Sequence, residues 1–497
     1  MALLTATILV SKRHVRHDDD ARGERLNQIA HPTVVERRAR GKAARTQTPL
    51  TSHDRWAPAA DRPDPISLLE EQDLTREPDL VPVRHGRMLV SPFTFYRGAA
   101  KIMAADLNET PNAGLTVQLC GDAHLSNFGV FASPERTLVF DLNDFDETLP
   151  GPFEYDVKRM AASFTIAARN NGFTKSDARA ATTESVLAYR DAMTSFADAD
   201  TMDIWYAHIS ADDLLQAMRR AAPELKGSER KRLEKQTEKA AAKAHTRDSL
   251  QALSKLAEYV DGQYRIVSQP PIVVPARDVE AAFGISREEV LRTVHEQFRA
   301  YRATLEDDRR HLLERFQVVD IARKVVGVGS VGTRAFIVLL QGRDEQDPLF
   351  LQVKEATRSV LEDYLPKSRY HQPGERVVRG QRMMQAASDI LLGWTKGVET
   401  DRYLYWRQLR DMKGSAVIET MVPAGLEFYA RFCGQTLARA HARSGDPVAI
   451  AAYLGKKDKF DQSVTDFSDR YADQNERDYE AFSQAIRTGR LQAVEGV

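Results

Sequence analysis

Apolar positions recur along this chain in two alternating rhythms, and the changes between them divide it. From Asp64 the segment ISLLEEQ predicts a short helix. SPFTFYRGAAKIMAADL, opened by Ser91 and Pro92, then carries its apolar residues at helical spacing. TVQLCGD and TLVFDLNDF are rich in Val, Leu and Phe and predict two short strands flanking a loop that holds His124 and Asn127. Residues 154–318 follow the helical period almost throughout, including Lys226–Asp248, where Lys and Glu interleave as on a solvated helix face. At Val318 the period shortens to two. Val318–Gly342 reads as two strands around a glycine-rich turn, Pro348–Ala356 as a third strand, Gly374–Ser388 as a helix and Arg402–Leu409 as a further strand. Helical spacing then returns, most clearly in Glu427–Ser444.

Residues 1–63 lack this order. Met1–Val10 is apolar, but its basic cluster (Lys12, Arg13, Arg16) follows the apolar run, the reverse of a secretory signal, and the run is far short of the roughly 20 residues of a spanning helix. The rest of the segment is rich in Arg, Asp, Ala and Pro, so a loosely ordered basic arm is expected over 1–63. The patterns predict an α+β protein with a mostly helical large lobe over 64–318. A small lobe with an antiparallel sheet follows over 319–415, and C-terminal helices over 416–497 complete the large lobe.

Composition narrows the class. With 42% hydrophobic and 28% charged residues, the 497-residue chain is an ordinary globular mixture. Its 70 basic and 71 acidic residues leave no net field to recruit nucleic acid or a membrane surface. Two cysteines, Cys120 and Cys433, exclude a disulfide framework and fit a reducing compartment, which reads as cytoplasmic.

Two segments carry chemistry. In Gly121-Asp122-Ala123-His124-Leu125-Ser126-Asn127 a carboxylate and a carboxamide stand five positions apart on a loop after a strand. Phosphoryl transfer needs such a pair, Asp122 to orient the attacking hydroxyl and Asn127 to hold a metal. A lone pair of this kind is common, but Asp141, Asp144 and Asp146 follow at the end of the next strand, and carboxylates so crowded call for a cation. An EF-hand is excluded because Asp146 stands where that loop requires glycine. The second segment is Gly327-Val328-Gly329-Ser330-Val331-Gly332. The β-branched and aromatic TRAFIVLLQG after it argues for a phosphate-covering lid between strands and against a dinucleotide fold, which requires a helix there. Lys354 lies twenty-two residues beyond Gly332 in an apolar strand, where a buried ammonium needs a phosphate or carboxylate partner.

These segments resemble those of aminoglycoside phosphotransferases and their protein-kinase relatives. The family reads H-G-D-x-H-x-x-N, I-D-[FW] and G-D-P-x-x-D where this chain has C-G-D-A-H-L-S-N, F-D-L-N-D-F-D and G-P-F-E-Y-D. The resemblance implies ATP with Mg2+, Asp122 as catalytic aspartate, Asn127 as metal ligand and Asp156 as the brace of the loop. The metal aspartate is Asp141 when counted forward from Asn127 and Asp144 when counted back from Asp156. Cys120 stands where the family has histidine. Gly327, Gly329, Ser330, Gly332 and Lys354 would handle the phosphates, and Glu375, or failing it Glu362, would pair with Lys354. The hinge beside the adenine falls at Arg410–Lys413. Because lid and lysine follow the catalytic loop by about two hundred residues, the implied fold is a circularly permuted kinase. From about Arg55 to its end the chain also resembles a bacterial kinase-like family catalogued as a domain of unknown function, through RMLVSPFTFYRGAA, GDAHLSNFG, NDFDET and RQLRDMKGS. The implied activity is γ-phosphoryl transfer to a hydroxyl of a small molecule or protein. AMP transfer and nucleotide binding without turnover are the alternatives.

Overall fold

The computed structural model describes residues 31–221, 249–260, 262–278, 287–325, 331–398, 401–409 and 412–496. Met1–Val10, Lys226–Asp248, Gly327, Gly329, Ser330 and Arg410 lie outside them.

The described part of the arm is ordered. Thr33 and Glu36 form a reciprocal capping box that starts helix α1 (Val34–Gln47). Gly41 lets this helix touch the C-terminal body, where a Cβ would lie 2.0 Å from the Ala449 carbonyl oxygen. The Arg45 Nε donates to the Tyr453 carbonyl at 2.5 Å. The expectation of a loose arm is corrected here, because packing against residues 400 positions away is invisible in a local pattern. Helices α2 (Pro65–Asp73), α3 (Val81–Leu89), α4 (Pro92–Gly98) and α5 (Ala100–Asn108) follow. The last two replace the single helix expected from Ser91, since Ala99 leaves the helical region at φ −103°, ψ 32°.

Strands β1 (Thr116–Leu119) and β4 (Leu149–Pro152) pair antiparallel and enclose the hairpin of β2 (Phe128–Ala132) and β3 (Leu138–Leu142). Next come α6 (Phe153–Asn170), α7 (Lys175–Ala197), α8 (Thr201–Tyr206), β5 (Ile209–Ser210) and α9 (Ala211–Ala221). Residues 249–318 are less helical than their spacing predicts. Between α10 (Ser249–Leu256) and α11 (Arg287–Arg302) lie β6 (Ala257–Val260), β7 (Gln263–Ile266) and β8 (Val273–Pro275), and α12 (Asp307–Leu313) follows.

Strand β8 joins the principal sheet, which contains β9 (Gln317–Lys324), β10 (Ala335–Gln341), β11 (Pro348–Glu355), β12 (Gly393–Lys396) and β13 (Tyr403–Gln408). Its order is β12-β13-β11-β10-β9-β8, antiparallel throughout. Helix α13 (Pro373–Met384) connects β11 to β12. One face of the sheet packs Leu351, Val353 and Trp406 against Phe298 and Tyr301 of α11, with the Trp406 and Tyr301 rings stacked at 4.6 Å. The alternation of the strands turns Gln352, Lys354, Tyr405 and Arg407 to the other face. The protein is thus mixed α+β with small antiparallel sheets, and β8 and α11 extend the sheet unit back before residue 319.

The main core lies among α6, α7, α14 (Pro423–Ser444), α15 (Pro447–Leu454) and α16 (Lys459–Arg487). Among the described residues no helix is long and apolar enough to cross a membrane. Gly434 brings α14 so near α7 that a Cβ there would lie 2.2 Å from the Ser185 carbonyl oxygen. Overpacking of this kind typically costs about 1–3 kcal/mol. Gly434→Ala is therefore expected to lower the urea midpoint by an amount in or above that range, and an unchanged midpoint would contradict the helix contact.

Candidate functional site

The loop after β1 is held before any ligand arrives. Asp156, at the start of α6, accepts from the backbone N–H groups of Cys120 (2.6 Å) and Gly121 (3.0 Å). His441 Nε2 lies 3.2 Å from the same carboxylate, with the Tyr189 hydroxyl hydrogen-bonded to its Nδ1 at 2.9 Å. Gly121 has φ +85°, and a Cβ there would meet the Glu147 carbonyl oxygen at 2.2 Å, so only glycine fits. The Tyr429 hydroxyl donates to the carbonyls of Leu125 and Phe128, fixing the far end of the loop.

Asp122 is oriented by a residue that motif reading passed over. Arg159 directs Nε (2.8 Å) and a terminal nitrogen (2.7 Å) to Oδ1 of Asp122, while its guanidinium lies 3.9 Å over the Tyr96 ring. Asp122 Oδ2 is not so engaged and stands 3.7 Å from His124 Nε2. Burial raises the Asp122 pKa, with Arg159 opposing, and burial together with Arg159 and Arg97 keeps His124 neutral. The signal for Arg159 was present: it follows Asp156 by three residues, on one face of a helix. Asn127 donates through Nδ2 to the Asp122 carbonyl at 2.6 Å, which ties the two ends of the motif together.

Lys354 reaches this loop from the sheet. Its Nζ lies 2.6 Å from Asp146 Oδ2 and 3.9 Å from Asp144 Oδ2, while its neighbour across the strand, Tyr405, donates its hydroxyl to Asp146 Oδ1 at 2.7 Å. Burial disfavours the ammonium, yet Asp144 and Asp146 outweigh it and raise the Lys354 pKa. Against its own burial, Asp146 is drawn down to about 2 by Lys354 and Tyr405. Asp144 goes the other way, raised by burial and by the adjacent Asp146 charge.

Three expected roles are not supported by this geometry. Glu375 is bonded to Arg379 (3.4 Å) on its own helix, and Glu362 caps Ser359 and stands 4.0 Å from Arg376, so neither meets Lys354. Helix α13 instead turns Arg376 inward, where it donates to the carbonyls of Thr148, Asp146 and Thr357. One residue along a helix is a rotation of about 100°, enough to exchange a glutamate for an arginine at the loop. Asp141 is 1% exposed, accepts from Arg439 (2.5 Å) and from the Ala386 N–H (2.8 Å), and does not border the cavity described next. Of the two candidates for the metal aspartate, Asp144 faces the cavity.

That cavity, about 370 Å3, is bordered by Asp122, His124, Asn127, Asp144, Asp146 and Glu147 on one wall and by Thr333 and residues 355–360 on the other. Arg76 and Arg97 add two cations to the rim. Gly332, next to the lining residue Thr333, has φ +88°. Its carbonyl accepts from the Glu77 N–H (2.7 Å), and Arg76 donates to the Val331 carbonyl. A second cavity of about 410 Å3 adjoins the expected hinge and is lined by Phe131, Asn143, Gln352, Arg407, Leu409 and Lys413 among others. Among the described residues no three His, Cys, Asp or Glu side chains converge as a ready-made metal cage.

A polar cavity between an antiparallel sheet and a helical body defines the class of molecule. The family model described as "Uncharacterized protein conserved in bacteria (DUF2252)" matches residues 76–485, and the chain belongs to that family. No curated protein and no solved structure matches the chain.

Two measurements test this geometry. Removing one member of a buried ion pair typically costs about 3–5 kcal/mol. Asp141→Ala should therefore destabilise the metal-free protein by that order, whereas a neutral result would remove Asp141 from the core. Asp146 contributes stability that is complete above the unfolded carboxylate pKa of ~4 and is lost as pH falls toward 2. Asp146→Asn should erase that part of the acid dependence of the urea midpoint, and an unaltered profile would contradict the Lys354 contact.

Proposed function

We propose that this protein is an ATP-dependent phosphotransferase of kinase-like, circularly permuted fold, moving the γ-phosphoryl group to an acceptor hydroxyl. The observation that carries the reading is the 2.6 Å contact between Lys354 and Asp146, 208 residues apart, which joins the two chemistry-bearing segments at one cavity. The succession β9, β10, β11, α13, β12, β13, with the glycine-rich stretch of the sequence falling between β9 and β10, supports it further, since it is the layout of a kinase small lobe, here following the catalytic loop in sequence.

Asn127 and Asp144 offer oxygen donors at the cavity wall, where burial and Asp146 already strain the Asp144 charge. That donor set fits Mg2+, which would neutralise phosphate charge when bound. Lys354 holds the acidic loop and presents its charge to the phosphates. The base goes to the second cavity beside Leu409. An acceptor hydroxyl at Asp122 Oδ2 forms the new bond to the γ-phosphorus as the bond to the β,γ-bridging oxygen breaks. The hydroxyl proton passes to Asp122, and ADP leaves with the electron pair. Arg159 keeps Oδ1 occupied, so a single oxygen is presented to the acceptor.

One observation favours AMP transfer as a second reading. The second cavity carries Lys255, Arg407 and Lys413, cations that suit a triphosphate tail, and an inverted ATP would bring its α-phosphorus to Asp122. Release of pyrophosphate in place of ADP would decide for it.

General-base catalysis is worth about 10²–10⁴ in rate. With labelled ATP and a panel of hydroxyl acceptors, Asp122→Asn is expected to lose that factor in transfer while ATP still binds. A variant that transfers as fast as wild type would overturn the role of Asp122, and ATP bound with no transfer by either protein would leave nucleotide binding without turnover.

A further inference from the structure

We infer that the acceptor is a small hydroxyl compound bearing an anionic group, a phosphate or carboxylate, which docks on Arg97. The inference rests on the phosphotransferase reading and names the substrate class of the same site.

Arg97 ends α4 and is brought to the cavity wall by the close approach beside it, where a Cβ on Gly98 would lie 2.6 Å from the Met88 sulfur. The other cations on this side have partners. Lys101 lies 2.8 Å from Glu71 and 3.4 Å from Asp363, Arg358 pairs with Asp363, and Arg159 is committed to Asp122. Arg97 makes no hydrogen bond or ion pair among the described residues, and its Nε is shut off from solvent without an acceptor. A guanidinium placed in this way has donors to offer, and its charge meets the Glu419 and Asp122 carboxylates only through space and the Phe93 ring at 6.0 Å, so an anion bonded to it would satisfy it more fully.

Its position separates acceptor from nucleotide. Arg97 borders the cavity together with Asp122, the carboxylate facing the acceptor, and with His124 beside it. Lys354, Asp144 and Asp146 are influenced by Arg407 and Lys413. The Asp122 charge is already balanced by Arg159, so Arg97 remains for the incoming molecule. A cavity of about 370 Å3 shared with the phosphate tail leaves room for a small acceptor.

The test uses inorganic phosphate as probe, titrated by calorimetry into the full chain saturated with Mg2+ and a non-hydrolysable ATP analogue. Phosphate should bind to this complex, Arg97→Gln should weaken it tenfold or more, and Arg97→Lys should retain part of the affinity, with melting curves reporting that each variant folds. Phosphate excluded by the bound analogue would assign Arg97 to the nucleotide, and equal affinity in Arg97→Gln would remove it from the site; either overturns the inference. The wild-type measurement decides the first point even if a variant fails to fold. Failure of the analogue itself to bind is a separate outcome, which overturns the phosphotransferase reading and the acceptor assignment with it.

Discussion

A lysine that is 2% exposed near the end of an apolar strand is tolerable only if something negative is brought to it, and in this protein that requirement joins the sheet to the helical body. Asp146 answers Lys354, Tyr405 takes the other oxygen of the same carboxylate, and Arg376 grips the backbone of the loop that carries it. A buried ion pair contributes little net stability once desolvation is counted. Its effect is on placement: sliding the sheet along the body would strand charge on both sides, so one relative position is strongly preferred. The cavity owes its shape to that preference.

The same logic recurs one layer further from the cavity. Asp156 holds two backbone donors of the loop, Arg439 neutralises Asp141 behind the β2–β3 hairpin, and Arg159 fixes one oxygen of Asp122. Asp122, which faces the cavity, is thus positioned by a partner of opposite charge that does not border it. Cys120, where related motifs carry histidine, is buried with its Sγ donating to the Asp144 carbonyl at 3.1 Å. Orientation of Asp122 has passed to Arg159, reached from α6 and steadied by the Tyr96 ring.

The residues at and beside the cavity were largely legible in the sequence because rare types stood at informative spacings: a lysine among Leu and Val, aspartates crowded at a strand end, an Asp and an Asn five apart, although Asp141 and Lys354 do not line the cavity itself. Their partners were harder to read. Arg439 lies 298 residues from Asp141, and no local rule links them. The choice between Glu375 and Arg376 turned on the rotation of one helix. All five residues of β3 are buried, so strand alternation gave no hint that Asp141 and Asp144 differ in surroundings. Among the elements, long amphipathic helices and four of the five strands from Gln317 onward were visible, while the four-residue β12 (Gly393–Lys396) was not. Strands of two to four residues within 209–275 were hidden by the helical texture around them. Helix α1 was missed because its contacts are a glycine and an arginine meeting backbone carbonyls, which leave no apolar stripe.

The brace supplied by His441, Tyr429 and Arg439 has a consequence for biosynthesis. The loop near residue 122 precedes the sheet in sequence, yet two of its supports, Tyr429 and His441 behind Asp156, lie on α14, which is translated after the whole sheet, as does Arg439, which holds Asp141. A nascent chain that has already produced every side chain bordering the cavity still holds its central loop only by the nearer contacts. The full set of braces on the loop is therefore complete only once α14 has cleared the ribosome and docked.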